Sequence, residues 1–339
     1  MKSPEPSVSV IVLTHNRIRL LRDTVRTLTE QSYPRDRLEI IVVNDGSSDG
    51  TRAWLDQEAT PHGRIRAVHQ DKLGISAARN TGILAARGDL IAIVADDYLL
   101  APDYVSTFVR FFQQHPGARV VRFGIVASDR WPGSLVSHFY YEVSFKKRLH
   151  SRSYSDEISL REKIRMYLRK DTTPPEKIST DHELEASGAA AFRREVFDSI
   201  GLFDEDLKRA EDTDMSIRLR KDGIPIWYYP FHKIRHRYGR WGGDTIKKNF
   251  LSGFYAARLH DKLKCRNDRS ASGGKGLAHR FLSLLLRIRQ TVHPLAGLLL
   301  IPWIVIFETA WIAGYLFGKS QARPSKRKRA TSHSHNRPA

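Results

Sequence analysis

The stretch Leu90–Pro102, LIAIVADDYLLAP, limits the possible architecture more than any other part of the chain. Leu90 to Val94 are all apolar, with none of the polar alternation of a strand that is wet on one face. Such a run marks a strand buried on both faces of a parallel sheet. It leads straight into Asp96 and Asp97, and Pro102 stands where a helix would start. Open α/β sheets bind ligands outside the carboxyl ends of their strands, which is where this acid pair falls. Adjacent carboxylates repel each other and attract a cation, most simply a divalent metal holding a phosphate. Capping of the next helix, which Asp favours, is the other reading open at this point.

The rest of the chain repeats the theme. Ser7–Leu13 and Leu38–Val43 are further buried-strand runs, and a shorter one lies near Ile65–His69. Between them, Ile18–Gln31 has helical spacing, with Leu20, Leu21, Val25 and Leu28 on one face. Helices are also expected through Trp54 and Leu55, from Ser76 to Ala86, and over Tyr104–Gln114. Alternation this close implies right-handed βαβ units and a mainly parallel sheet. Ala118–Ala127 reads as extended, and Trp131–Asp181 has no clear period, as a variable loop or lid would. Beyond it come the small-residue segment Glu185–Phe192 and a helix over Arg194–Ser199. A further helix over Glu211–Lys221 ends at Gly223, and a strand follows at Ile224–Tyr229. His232, His236 and Tyr238 then fall in a basic, aromatic loop.

Charge is distributed unevenly. The net charge is +19, yet Arg258–Ala339 carries 16 Lys/Arg against three acids. A basic block of this kind suits an anionic membrane surface, a nucleic acid or a solvated tail. The single cysteine, Cys265, excludes an internal disulfide and fits a reducing compartment. The opening MKSPEPSVSV has no apolar core, so no cleavable secretory signal is expected.

Five segments, SVIVLTHNR, VVNDGSSDGT, GISAARNTG, VADDYLLAP and AEDTDMSIRLRKDG, together resemble the family 2 glycosyltransferases of the GT-A fold over roughly residues 7 to 240. Each segment is weak alone; five in order at matching spacing are specific. The resemblance implies an α/β fold, a GT-A type αβα sandwich with a mainly parallel, Rossmann-like central sheet. It implies a catalytic domain over 1–257, with a nucleotide-binding half at about 7–128 and an acceptor half at about 129–257. A basic, amphipathic linker (258–293), an apolar helix (294–318) and a basic disordered tail (319–339) complete the expected plan.

By the same resemblance the activity is hexosyl transfer from a nucleotide-diphospho-sugar, with UDP the expected nucleotide, to a hydroxyl of a glycan, lipid-linked or polysaccharide acceptor. Asp45 would accept a hydrogen bond from the base, although NDGSSDG also suits a plain turn. Thr14, Asn16 and Arg17 would be further donor contacts, with Arg17 equally readable as a solvated helix start. Arg79, beside Asn80, would lie near the diphosphate; a surface arginine is the alternative. Asp96 would face the ribose and Asp97 would ligate Mn²⁺ or Mg²⁺. The usual Asp-any-Asp motif is Ala95-Asp96-Asp97 here, which leaves the two acids adjacent. Asp212, next to Glu211, would be the general base of an inverting, in-line displacement; helix capping explains the same acids. Asp214 is a weaker candidate. His236 would complete the metal site or be a surface histidine, and Trp241, Gly242 and Gly243 would close on the donor.

Leu295–Phe317, as a helix, would reach about 34 Å at 1.5 Å per residue, enough for a hydrocarbon core of about 30 Å. A single span would put the Lys326–Arg329 cluster on the far side from a cytosolic catalytic domain, against the positive-inside tendency. The expectation is therefore a re-entrant or interfacial helix pair on the cytoplasmic face of a membrane, in a bacterium the inner one. A docked helix in a soluble protein is the alternative, and no nucleic-acid partner is expected. Two other classes compete. A sugar nucleotidyltransferase would need a Gly-rich, basic phosphate loop after Leu13, and none is present. A non-enzymatic binder would leave the acids at 45, 96, 97 and 212 without a purpose.

Overall fold

The computed structural model describes residues 5–59, 64–127, 184, 188–237, 244–265 and 294–321. The expected lid, the Trp241-Gly242-Gly243 loop and the basic tail after residue 321 lie outside these.

Four strands form the parallel half of one sheet. They are β1 (Val8–Thr14), β2 (Leu38–Asp45), β3 (Ile65–Gln70) and β4 (Leu90–Ala95), in the order β3-β2-β1-β4. Helices α1 (Ile18–Thr29), α2 (Thr51–Glu58) and α3 (Ile75–Ala85) make the crossovers. The order turns back on itself at β1, so the ends of β1, β2 and β4 open onto one crevice. After β4 come the two-residue β5 (Tyr98–Leu99), α4 (Tyr104–Gln114), β6 (Val120–Ala127) and β7 (Ala189–Arg193). Helices α5 (Glu195–Ile200) and α6 (Glu211–Lys221) lead to β8 (Ile226–His236). The sheet continues from β4 through β7, β6 and β8 to β5. Strand β7 runs antiparallel to both β4 and β6, while β8 runs parallel to β6.

Because strand side chains alternate, each strand feeds two cores. Val8, Val10 and Val12 meet Leu21, Val25 and Leu28 of α1, Leu55 of α2 and Tyr104 and Phe108 of α4. Ile11, Ile41, Ile91 and Ile93 face Ala78 and Ile83 of α3, Val196 of α5, and Met215 and Leu219 of α6. The result is the expected αβα sandwich.

Two boundaries differ from expectation. The strand expected to stop at Tyr229 runs on to His236, with a register shift opposite Phe123 and Gly124. His236 is therefore a strand-end residue held against β5, where Tyr98 pairs with it. The division expected at 257/258 falls inside one continuous helix, α7 (Asp244–Cys265). Contacts with its partner helix from Phe250 to Asp261 run across that division. That partner is α8 (Pro294–Ser320), a helix over the segment where one was expected. The two approach so closely that a Cβ on Gly253 would collide with the Trp311 carbonyl, and one on Gly314 with the Phe250 carbonyl. Small residues permit this backbone contact. At its other face α7 places Leu259 and Leu263 against Leu207, just ahead of α6. Among the residues whose side chains are described, no helix is long and apolar enough to cross a membrane.

Candidate active site

The crevice at the ends of β1, β2 and β4 contains a cavity of about 280 Å³, lined by Thr14, His15, Arg17, Asp45, Ile75, Arg79, Asp96 and Gly188. Asp96 and Asp97 sit just past β4, 3% and 6% exposed. Arg17, at the start of α1, spans both: Nη1 donates to Asp96 Oδ1 at 2.7 Å and Nη2 to Asp97 Oδ2 at 2.5 Å. Thr14 Oγ1 donates to Asp96 Oδ2 at 2.8 Å, and His236 Nε2 lies 3.1 Å from Asp97 Oδ2. The pair is thus held by three side chains, from β1, α1 and β8.

Its two members ionise differently. Burial, opposed by Arg17, pushes Asp96 up to about 6. Burial is also the largest influence on Asp97, but His236 and Arg17 together overcome it and hold that carboxyl at about 2. Asp97 is the more readily ionised of the two because Arg17 and His236 both contact it. Burial, and then the charges of Asp97 and Asp212, push the Tyr98 hydroxyl well above its ordinary range.

A second acid pair opens α6. Arg79, 4% exposed, donates through Nη1 to Glu211 Oε1 at 2.6 Å and lies 3.3 Å from Asp212 Oδ1. Its guanidinium also stacks 5.0 Å from the Phe203 ring centre. Two neighbours on α3 fasten the same segment. Asn80 both donates to the Phe203 carbonyl and accepts from the Phe203 N–H, and Ser76 donates to the Leu207 carbonyl. Ala210, just before the pair, adopts φ +64, a left-handed conformation rare without glycine. Asp214 is bonded to Arg218 Nε at 2.8 Å within the same helix.

The chain from residue 9 to 201 matches the model of glycosyl transferase family 2. It belongs to that family. Its family 2 relatives include the uncharacterized glycosyltransferase EpsJ of Bacillus subtilis, 30% identical over 62% of this chain and 55% of EpsJ. The validoxylamine A glucosyltransferase of Streptomyces hygroscopicus is also 30% identical, over 65% of this chain and 53% of that protein. The chain therefore spans about half the length of these relatives. Among solved structures, the mannosyltransferase PcManGT from Pyrobaculum calidifontis, in complex with GDP-Man and Mn²⁺, superimposes with a TM-score of 0.59. It shares 20% identity and covers 94% of this chain and 87% of its own, a likeness of fold.

Within this family 2 site, the expected donor residues divide. Thr14, Arg17, Asp45, Arg79 and Asp96 line the cavity; Asp97 adjoins it through Arg17, and His236 through Asp97. Asn16 is not among the residues lining the cavity. It takes φ +54, accepts from Ser48 N at 2.7 Å and donates from its own N–H to Ser47 Oγ. These bonds join the β1–α1 loop to the β2–α2 loop, which occupies the side chain in structure. Asp45 carries a similar load, accepting from Gln70 Nε2, Leu73 N and Gly74 N, while still reaching the cavity. Arg79 lines the cavity while its Nη1 is bonded to the second acid pair, and α3 packs against residues 203–211. Ser76, Tyr98 and Ala210 were not singled out from sequence. A left-handed alanine leaves no sequence signal.

The residues suit a hard divalent ion. Asp97 is ionised and buried, the imidazole of His236 is beside it, and Asp96 adds a second carboxylate. Among the described residues no group of three or more His, Cys, Asp or Glu side chains is arranged to hold a metal ion by itself. A donor-site ion needs few protein ligands, because diphosphate oxygens and water fill the remaining positions.

Proposed function

We propose that this chain transfers a hexose from a nucleotide-diphospho-sugar, UDP-linked in our reading, to a hydroxyl of a glycan, lipid-linked or polysaccharide acceptor. The observation that carries the proposal is the position of Arg79. It lines the same cavity as Asp96 and also holds Glu211 and Asp212, which brings two acid pairs to one crevice. Two sites of different chemistry are what a single in-line displacement requires. Thr14 and Asp45 line the donor pocket, and Arg17 supplies cationic charge where the diphosphate would lie. Asp97, with His236 and Asp96, would hold a divalent ion, Mn²⁺ or Mg²⁺. When bound, that ion offsets the charge developing on the departing nucleotide. Asp212 takes the proton from the acceptor hydroxyl as its oxygen attacks the anomeric carbon, which inverts the configuration. Glu211 stays bonded to Arg79 and keeps Asp212 aimed.

The α7–α8 pair, in the same reading, seats the enzyme on the cytoplasmic face of a membrane, peripherally or as a re-entrant element. Val305 and Leu316, and Ile306 and Phe317, are 11 residues apart, about three helical turns, and all four are exposed. The Lys/Arg-rich segment after residue 321 would meet anionic headgroups. Calorimetry on the full chain with UDP, GDP, CDP and TDP, with and without Mn²⁺, tests the donor site. Metal-dependent binding of one nucleotide, lost in Asp97→Ala, supports the reading. No binding by the folded protein removes it. Flotation with vesicles containing phosphatidylglycerol tests the membrane seat.

A further inference from the structure

The acid pair expected to receive a metal already has a cation. One planar guanidinium bridges both carboxylates with two separate N–H groups, at 2.7 and 2.5 Å. Among the described residues Arg17 bonds no other side chain, and its own side chain is 39% exposed while Asp96 and Asp97 are nearly covered. It therefore enters from the mouth of the cavity, where a swing outward costs little packing. The other supports of the pair, Thr14 and His236, come from β1 and β8 and are fixed by the sheet.

We propose that Arg17 is a resident counter-ion of the donor site. It joins Asp96 and Asp97 while no metal is bound, and transfers to the donor's diphosphate when a divalent ion takes the pair. The inference rests on the metal-assisted reading above. Charge makes the exchange sensible. Without Arg17, two adjacent buried carboxylates repel each other, so the crevice would be strained when empty. A divalent ion replaces that single positive charge with two. The freed guanidinium then meets an anionic diphosphate, for which its fork geometry is suited. No bond is made or broken covalently, and the total charge in the crevice stays close to neutral at each stage.

The decisive measurement uses the full chain and Mn²⁺ alone, followed by calorimetry and by loss of the free-ion electron paramagnetic resonance signal. Arg17→Gln removes the charge and keeps a polar stem at a half-buried position, so folding should survive; Arg17→Lys keeps the charge and loses the bridging fork. Arg17→Gln is expected to bind Mn²⁺ roughly 5- to 30-fold more tightly than the native protein, the size of one charged hydrogen-bonded contact. Arg17→Lys should fall between them. With Mn²⁺ saturating, UDP or GDP should bind Arg17→Gln more weakly than the native protein. Mn²⁺ binding that is unchanged or weaker in a folded Arg17→Gln protein overturns the inference and leaves the metal reading standing. Absence of Mn²⁺ binding in both proteins overturns the metal reading and this inference with it.

Discussion

The crevice holds two adjacent acid pairs, each bridged by one arginine, and they differ chiefly in how deeply that arginine lies. Arg17 on Asp96 and Asp97 has a side chain 39% exposed, whereas Arg79 on Glu211 and Asp212 is 5% exposed. Burial makes the difference between a contact that can exchange and one that cannot. Water reaches the arginine end of the outer contact only, since Asp96 and Asp97 are as buried as Glu211. A buried ion pair gives little net stability while intact, but removing one partner leaves an uncompensated charge. The outer pair is thus built to give up its arginine and the inner pair to keep it.

The comparison can be broken most sharply at Asp212. Asp212→Asn keeps Glu211 on Arg79 and should fold. Sugar transfer should fall about 10²- to 10⁴-fold, with nucleotide affinity retained. Equal loss of both would place Asp212 in donor binding and end the division of labour between the pairs.

Next in size is Arg79→Leu, which strands Glu211 and Asp212. Urea unfolding should show a loss of about 3–5 kcal/mol, with Arg79→Lys recovering part of it. A loss no larger than that of Arg17→Gln would mean that the inner arginine is as dispensable as the outer one. Arg17→Gln should cost less in the same assay, because water reaches its half-buried side chain and solvates part of the contact.

Acid sensitivity sharpens the outer pair. Asp96, lifted to about 6, binds its proton more tightly folded than unfolded. The stability it contributes is fully present below about pH 4 and is lost as the pH rises through 6. Melting curves between pH 4 and 7 should therefore decline by on the order of 1–2 kcal/mol in the native protein and stay flatter in Asp96→Asn. Asp97, held at about 2, acts in the opposite sense and below this window.

The smallest effect concerns the backbone ahead of the inner pair. Ala210→Gly should relieve the left-handed strain, partly offset by glycine's greater freedom when unfolded, and the net change should lie within about 1 kcal/mol. A clear gain in stability accompanied by slower transfer would show that the strained turn aims Asp212.

Much of the parallel half could be read from residue order alone. Val8, Val10 and Val12, with Ile11 between them, announce a strand buried on both sides, and the helix over Ile18–Thr29 follows from its apolar spacing. The acids at strand ends and at the head of α6 were also visible, because the residue type and its place in the element are both local. Three features were not. Asn16 resembles a ligand-facing residue, and its bonds to the β2–α2 loop could not be read from residue order. His236 read as a loop residue because the strand before it continues through a polar, basic segment. It is held there by pairing with β6 and β5, which outweighs the weak local pattern. Helix α7 crosses a change in composition because its backbone contact with α8 lies some 60 residues away.

Periodicity, helix limits and acids at strand ends depend on neighbours along the chain, and this sequence determined them by itself, together with its family. Which arginine serves which acids was decided only by the tertiary structure. Arg17 and Asp96 are 79 residues apart, and Arg79 and Glu211 are 132 apart. Nothing local distinguishes one arginine from the other. Strand order places Arg17 at the mouth of the crevice and packs α3 over residues 203–211, and that burial sets what each arginine can do.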